Sequence, residues 1–242
     1  MGSFDKFSNN YREIHNKNLK ITGFKSDYFA KKKIEIIDTA LDLRRNLKIL
    51  DLGCGDGKLE ECITLISHAS VTGIDISKQS INRAMKKNLA NCTFVHYDGQ
   101  YIPFNDNCFD VVIISQVMHH IEHTSHMAIL NEVNRVLKPS GNLFIFEHNP
   151  INPFTMHIVN TCSFDTDAKL LPFKYLNNIL FETGYKKIET FFSCFFPNIA
   201  IFKILVKYEH LLKKIPIGGQ YWVRCIKKKD ESVGVNKYAI SR

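Results

Sequence analysis

The sequence has no apolar run long enough to span a bilayer. The nearest stretch, from Phe191 to Val206, is broken by Pro197, Asn198 and Lys203, whereas a spanning helix needs about 20 consecutive apolar residues. It also has no C-x-x-C pair. Its seven cysteines, Cys54, Cys62, Cys92, Cys108, Cys162, Cys194 and Cys225, stand singly and in odd number. This excludes a disulfide framework and a zinc knuckle and predicts reduced thiols in a cytoplasmic protein. With Gly 12 and Pro 7 in 242 residues, there is no glycine- or proline-rich linker at which to divide the chain. The opening MGSFDKF has no basic region followed by an apolar run, and Lys6 stands where an N-myristoylation pattern wants Ser or Thr.

What remains is the balance of a globular chain, 45% hydrophobic and 23% charged with a net charge of +8, which excludes disordered, collagen-like and coiled-coil classes. Short β-branched runs alternate with helical patterns, the rhythm of a parallel sheet with crossover helices. Strands are predicted at 47–53, 71–76, 92–98, 109–115, 142–148, 186–195 and 220–228. Ser77 is placed to cap a helix carrying Ile81, Ala84, Met85 and Leu89. Another helix presents Ile129, Val133, Val136 and Leu137 before Pro139 and Gly141, and a third is bracketed by Pro172 and Gly184. The expected organisation is an N-terminal helical cap of two helices (1–46), a core (47–228) that includes a helical insertion (196–219), and a frayed tail (229–242).

The sharpest local signal is Asp51-Leu52-Gly53-Cys54-Gly55-Asp56-Gly57, set between a strand and a helix. Glycines there let the backbone turn tightly and approach a ligand, while the helix start offers unpaired N–H groups. Asp75 ends the next strand, where a carboxylate can accept both ribose hydroxyls of a nucleoside. A nicotinamide dinucleotide fingerprint would read G-x-G-x-x-G. Here the spacing is G-x-G-x-G.

That loop, Asp75, Asp98-Gly99, the strand FDVVIISQVMHHI, the helix and turn LNEVNRVLKPSG and a fifth strand follow one another in an order that resembles the class I S-adenosylmethionine-dependent methyltransferases, in particular the ubiquinone/menaquinone-type small-molecule enzymes. The resemblance implies a Rossmann-like α/β fold: a seven-stranded mixed sheet, the last strand antiparallel, with helices on both faces. It implies S-adenosyl-L-methionine as cofactor. Asp51 and the backbone of Gly53, Gly55 and Gly57 would line its methionine and ribose portions, Asp75 would bind the ribose, and Ile76 would cover the adenine. Asp98 and Gly99 would meet the adenine edge, and Ser115 and Gln116 the methionine end. The opening FDKFSNNY resembles the family's N-terminal cap and would bring Tyr11 near the cofactor. An Asn/Asp/Ser-Pro-Pro-aromatic motif, usual in nucleic-acid amino-methyltransferases, is replaced here by Ser115-Gln116-Val117-Met118, so a small-molecule acceptor is expected and a nucleic acid is not.

Methyl transfer from a sulfonium needs alignment and exclusion of water, with no metal required; a hydroxyl or carbon-acid acceptor also needs a base. His119, His120 and His148 follow the fourth and fifth strands, at the rim where ligands bind, and are the candidate catalytic groups. The run His119, His120, His123, His126 carries metal-like spacings but crosses a strand-to-helix turn, so no metal is expected. Asn149 and Asn152, in two Asn-Pro pairs expected to keep the chain extended, and Asp165 are candidate acceptor-binding groups. From Phe196 to Lys229 there are eight Lys/Arg against a single acid, Glu209. Lys203, Lys207, His210 and Lys214 fall on one helical stripe with apolar residues elsewhere. The insertion could be a lid, a homodimer contact, a peripheral contact with anionic membrane, or a helix on the core with a solvated lysine face. O-methylation is the favoured reading. The alternative function is a non-catalytic cofactor- or partner-binding protein on the same fold.

Overall fold

The computed structural model describes residues 26–162, 168–197 and 202–228. Tyr11, Asp165, the first of the two expected N-terminal helices and the tail lie outside the described residues. After α1 (Ser26–Leu41), β1 (Lys48–Leu52), α2 (Lys58–Thr64), β2 (Ser70–Asp75), α3 (Lys78–Lys86), β3 (Cys92–His96) and β4 (Phe109–Ser115) follow in order. Then come two 3-10 turns, α4 (His126–Val136), β5 (Leu137–His148), α5 (Pro153–Thr161), α6 (Phe173–Glu182) and β6 (Tyr185–Ser193). The chain closes with α7 (Lys203–Lys207), a 3-10 turn at Glu209–Leu212 and β7 (Gln220–Lys227).

The seven strands lie in the order β3-β2-β1-β4-β5-β7-β6. β1 to β5 pair in parallel, and β7 runs antiparallel to both β5 and β6. Because β4 returns to the opposite side of β1 from β2, the order reverses between β1 and β4. In an open α/β sheet that reversal opens a crevice at the carboxyl ends of the strands, where ligands bind.

Strand alternation builds the two faces. Val112 and Ile114 of β4 point into one cluster with Leu130, Val133, Leu176 and Leu180 of α4 and α6. Val111 and Ile113 point the other way, against Ile34 and Ile37 of α1 and Ile63 of α2. A strand buried on both faces reads as an unbroken apolar run, which is what VVII is.

Four local expectations are corrected. Leu137 does not extend α4: it leaves the helix in extended conformation and pairs with Phe109, and β5 resumes at Asn142 opposite Val111 after an irregularity at Lys138–Gly141. Met85 is half exposed and Leu89 lies past the end of α3, although Ser77 caps that helix by accepting from the Ser80 N–H at 3.2 Å. The Asn-Pro pairs do not keep 147–155 extended: Asn152 is extended, as a residue before proline must be, but Pro153 opens α5. The insertion is not one helix with a basic stripe. α7 gives way to the tighter 3-10 turn, which aims Glu209 inward so that its Oε1 accepts the Phe196 N–H at 3.0 Å.

Candidate functional site

The glycine loop joins β1 to α2 with Gly53, Gly55 and Gly57 all at positive φ. At Gly53 (φ +82) an added Cβ would sit 2.3 Å from Val117 Cγ2, so the loop is jammed against the end of β4. At Gly55 (φ +55) nothing lies within 4 Å of such an atom, leaving an open face over the loop. Asp75 ties the loop to β2: its Oδ2 accepts the Gly55 N–H at 2.9 Å and its Oδ1 the Ser77 N–H at 2.7 Å. Ile76, next along, is 54% exposed with its side chain toward the same rim as Gly99, whose added Cβ would come 3.2 Å from Ile76 Cγ2. Asp98 is exposed and accepts the Gln100 and Tyr101 N–H groups through Oδ1, which hold its pKa below the ordinary aspartate value.

Beneath the loop, Asp51 is almost fully buried and its Oδ1 has no partner among the described residues. Burial pushes its pKa up to about 7, against the pull of neighbouring Glu60 and Lys33. Glu60 is fully buried, and burial together with the Asp51 charge holds it well above the usual carboxylate range. Gly73 makes room for it, since a Cβ there would lie 2.6 Å from Glu60 Oε1. Lys33 comes down from α1 to donate to Ser115 Oγ at 2.7 Å. Burial lowers its pKa to about 8, partly offset by Glu147 and Asp51. Gln116 follows at φ +60, and both polar atoms of its carboxamide are buried without a partner among the described residues.

Beyond β4 the three candidate histidines come together. Glu147, fully buried at the end of β5, accepts the Met118 N–H at 2.9 Å through Oε1 and faces His119 Nδ1 at 2.5 Å through Oε2. The His119 ring lies 4.1 Å from that of His120 and 5.5 Å from that of His148, centroid to centroid. Burial and the neighbouring His119 lower the His120 pKa to about 3, so its imidazole is neutral across the physiological range. A carboxylate on Nδ1 orients the His119 ring.

Asn149 and Asn152 do different work from the acceptor contact expected of them. Asn149 is fully buried; its Nδ2 donates to the carbonyls of Pro216 and Gly218, and its Oδ1 accepts the Ile151 N–H. Asn152 caps α5 through the Thr155 N–H and donates to the Ile217 carbonyl. Their amides are committed to the backbone, and they clamp the end of the insertion beside the end of β5. The sequence reading missed the Glu147–His119 pair and Lys33. The adjacency of β4 and β5 makes the first, and α1 packing across β4 makes the second; the only signal in the sequence was an acid and a histidine ending neighbouring strands.

This strand order, with a glycine turn after β1 and an acid ending β2, defines the class I methyltransferase fold. Residues 49–141 match the family model described as a methyltransferase domain, and the fold is that of the class I, S-adenosylmethionine-dependent methyltransferases. It is 30% identical over 148 residues to demethylmenaquinone methyltransferase of Staphylococcus aureus (strain MRSA252), covering 60% of this chain and 58% of that one. It is 36% identical over 107 residues to phthiotriol/phenolphthiotriol dimycocerosates methyltransferase 1 of Mycobacterium ulcerans, covering 43% and 39%. The matched region thus spans 39% to 58% of the length of these two relatives. Among solved structures, a S-adenosylmethionine-dependent methyltransferase of Thermotoga maritima superposes with a TM-score of 0.68 at 13% identity, covering 93% of this chain and all of that one.

The residues present fit the cofactor. Among the described residues, the open face at Gly55, the unpartnered Asp51 Oδ1 and the unpartnered Gln116 carboxamide stand at or beside the carboxyl ends of β1 and β4, an acid and an amide suited to a ligand with an ammonium group and a nucleoside.

Proposed function

We propose that the chain is a methyltransferase that moves the methyl group of S-adenosyl-L-methionine to a hydroxyl oxygen of a small-molecule acceptor. The observation that carries this reading is the buried Glu147–His119 pair at the carboxyl rim of β4 and β5, on the same side of the sheet as the glycine loop. When bound, the cofactor supplies a methyl group already activated on sulfur. The chain has to hold it, hold the acceptor in line, keep water out and take one proton.

Asp75 would receive the ribose hydroxyls, Ile76 and Gly99 the adenine, and Asp98 its amino edge through the oxygen not used in the turn. Asp51 and Gln116 would receive the methionine end, beside Ser115 and Lys33. His119, oriented by Glu147, would be the group that takes the acceptor's proton, with His120 and His148 forming the wall around it. Because His120 is neutral, it places no cation near the transferring methyl.

The names of the two relatives, one for demethylmenaquinone and one for phthiotriol and phenolphthiotriol dimycocerosates, support a small organic acceptor over nucleic acid. All seven cysteines are free thiols, which supports a reducing compartment such as the cytoplasm. Among the described residues, no helix is long and apolar enough to cross a membrane.

The test is incubation of the purified chain with S-adenosylmethionine and a panel of phenolic, enolic and aliphatic hydroxyl compounds, reading S-adenosylhomocysteine by mass spectrometry. Acceptor-dependent release, abolished in His119→Ala, is the expected result. Cofactor binding with no release for any class of acceptor would favour a non-catalytic binder.

A further inference from the structure

The insertion leaves apolar side chains facing water. Ile204 and Leu211 are 71% and 70% exposed, and Ile215 and Ile217 lie between 43% and 58%. Ile151 and Phe154, at the start of α5, are exposed to 55% and 56%. The Asn149 and Asn152 clamps onto the 216–218 carbonyls hold the segment carrying Ile151 and Phe154 beside the one carrying Ile215 and Ile217. An isolated exposed leucine or isoleucine is ordinary, but a concentration of them on one segment marks an interaction surface.

Charge narrows the choice of partner. The insertion's single acid, Glu209, is buried, with its carboxylate on the Phe196 N–H. Lys207, Lys213 and Lys214 stay exposed, the last two with their ammonium groups over the Phe191 ring at 5.3 and 3.9 Å. The exposed side chains of residues 204–217 are therefore mostly apolar or basic, with no exposed carboxylate among them. A second copy of the same face would set lysine against lysine. An anionic lipid surface takes both features at once, apolar groups into the acyl boundary and lysines among the headgroups.

We infer that the outward face of residues 202–219, together with Ile151 and Phe154, docks on an anionic lipid surface. Its position gives this a use. β7 is antiparallel to β5, so the insertion leading into β7 hangs at the same rim as Glu147 and His148. A docked face holds the crevice mouth at the lipid boundary, where an acceptor dissolved in the bilayer is most concentrated.

The test is co-sedimentation of the intact chain with vesicles of phosphatidylcholine alone and of phosphatidylcholine with about one third phosphatidylglycerol. The chain should pellet with the anionic vesicles and remain in solution with the neutral ones. Lys213→Glu with Lys214→Glu should weaken binding by about fivefold or more for each lysine, and added salt should weaken it further. Ile204→Asp with Leu211→Asp should abolish it, with the thermal melt unchanged because both side chains already face water.

The proposal is overturned if the native chain ignores anionic vesicles, or if the aspartate variant pellets as the native chain does. It is also overturned if light scattering shows a dimer that those aspartates dissociate, which would give the face to a second copy. Pelleting needs neither cofactor nor acceptor, so its failure leaves the methyl-transfer reading untouched.

Discussion

Glu147 and His119 end up 2.5 Å apart, carboxylate oxygen to imidazole Nδ1, with side-chain exposures of 0% and 1%. Such a pair is costly to bury unless each group is satisfied, and here the second carboxylate oxygen holds the Met118 N–H. Glu147→Gln keeps the shape but replaces the carboxylate facing Nδ1 with a neutral amide, taking away the charge that orients the ring and steadies a proton on it. Turnover should fall about 10²- to 10⁴-fold while S-adenosylmethionine affinity, read by calorimetry, stays the same. An unchanged rate would return the pair to a purely structural role.

Asp75→Ala removes the carboxylate from the mouth of the crevice and frees the Gly55 and Ser77 N–H groups. Cofactor affinity should weaken by about 1–3 kcal/mol, the cost of leaving polar partners unpaired. Titration of the variant with S-adenosylhomocysteine checks it; native affinity would place the ribose elsewhere.

Gly53→Ala should destabilise the fold by more than the about 1–2 kcal/mol of a left-handed alanine, because its Cβ meets Val117 Cγ2 at 2.3 Å. Adding Val117→Ala should recover the steric part and leave the backbone part. Denaturant midpoints of the single and double variants separate the two. Equal midpoints would mean that Val117 is not the obstacle.

Asn149→Ala strips the carbonyls of Pro216 and Gly218 of their donor. A loss of about 1–3 kcal/mol in stability is expected, since the acceptor at buried Gly218 is left unmet. A melting temperature within error of the native chain would argue against the clamp.

Stability should depend on pH through Asp51. Its pKa is raised from 3.8 to about 7 in the folded chain, so between those values the folded state holds a proton that the unfolded state has released. Its contribution is fully present below pH 3.8 and is lost as pH rises through about 7. Lys33, lowered from 10.5 to about 8, acts the other way: the unfolded chain holds its proton longer, so its contribution climbs over that higher window. Asp51→Asn should therefore flatten the decline across the lower window, even though Glu60 still adds to it. Parallel denaturation curves for native chain and variant over that range would contradict this.

The strands were legible because fully buried parallel strands write themselves as unbroken apolar runs, VVII above all. The glycine loop was legible because its backbone demands a residue type. Pairings between elements were not. Nothing in the spacing of His119 and Glu147 says that β4 and β5 lie side by side in the register that joins them, and Lys33 looked like one more lysine on a helix. The insertion misled for a related reason: helical periodicity predicts one continuous helix, and the inward turn of Glu209 depends on the distant Phe196 N–H.

The two backbone bonds accepted by Asp75 matter before any nucleoside arrives. They hold the rotamer in advance, so under the proposed ribose role an incoming sugar diol would meet an acid already aimed, with little torsional freedom left to lose on capture.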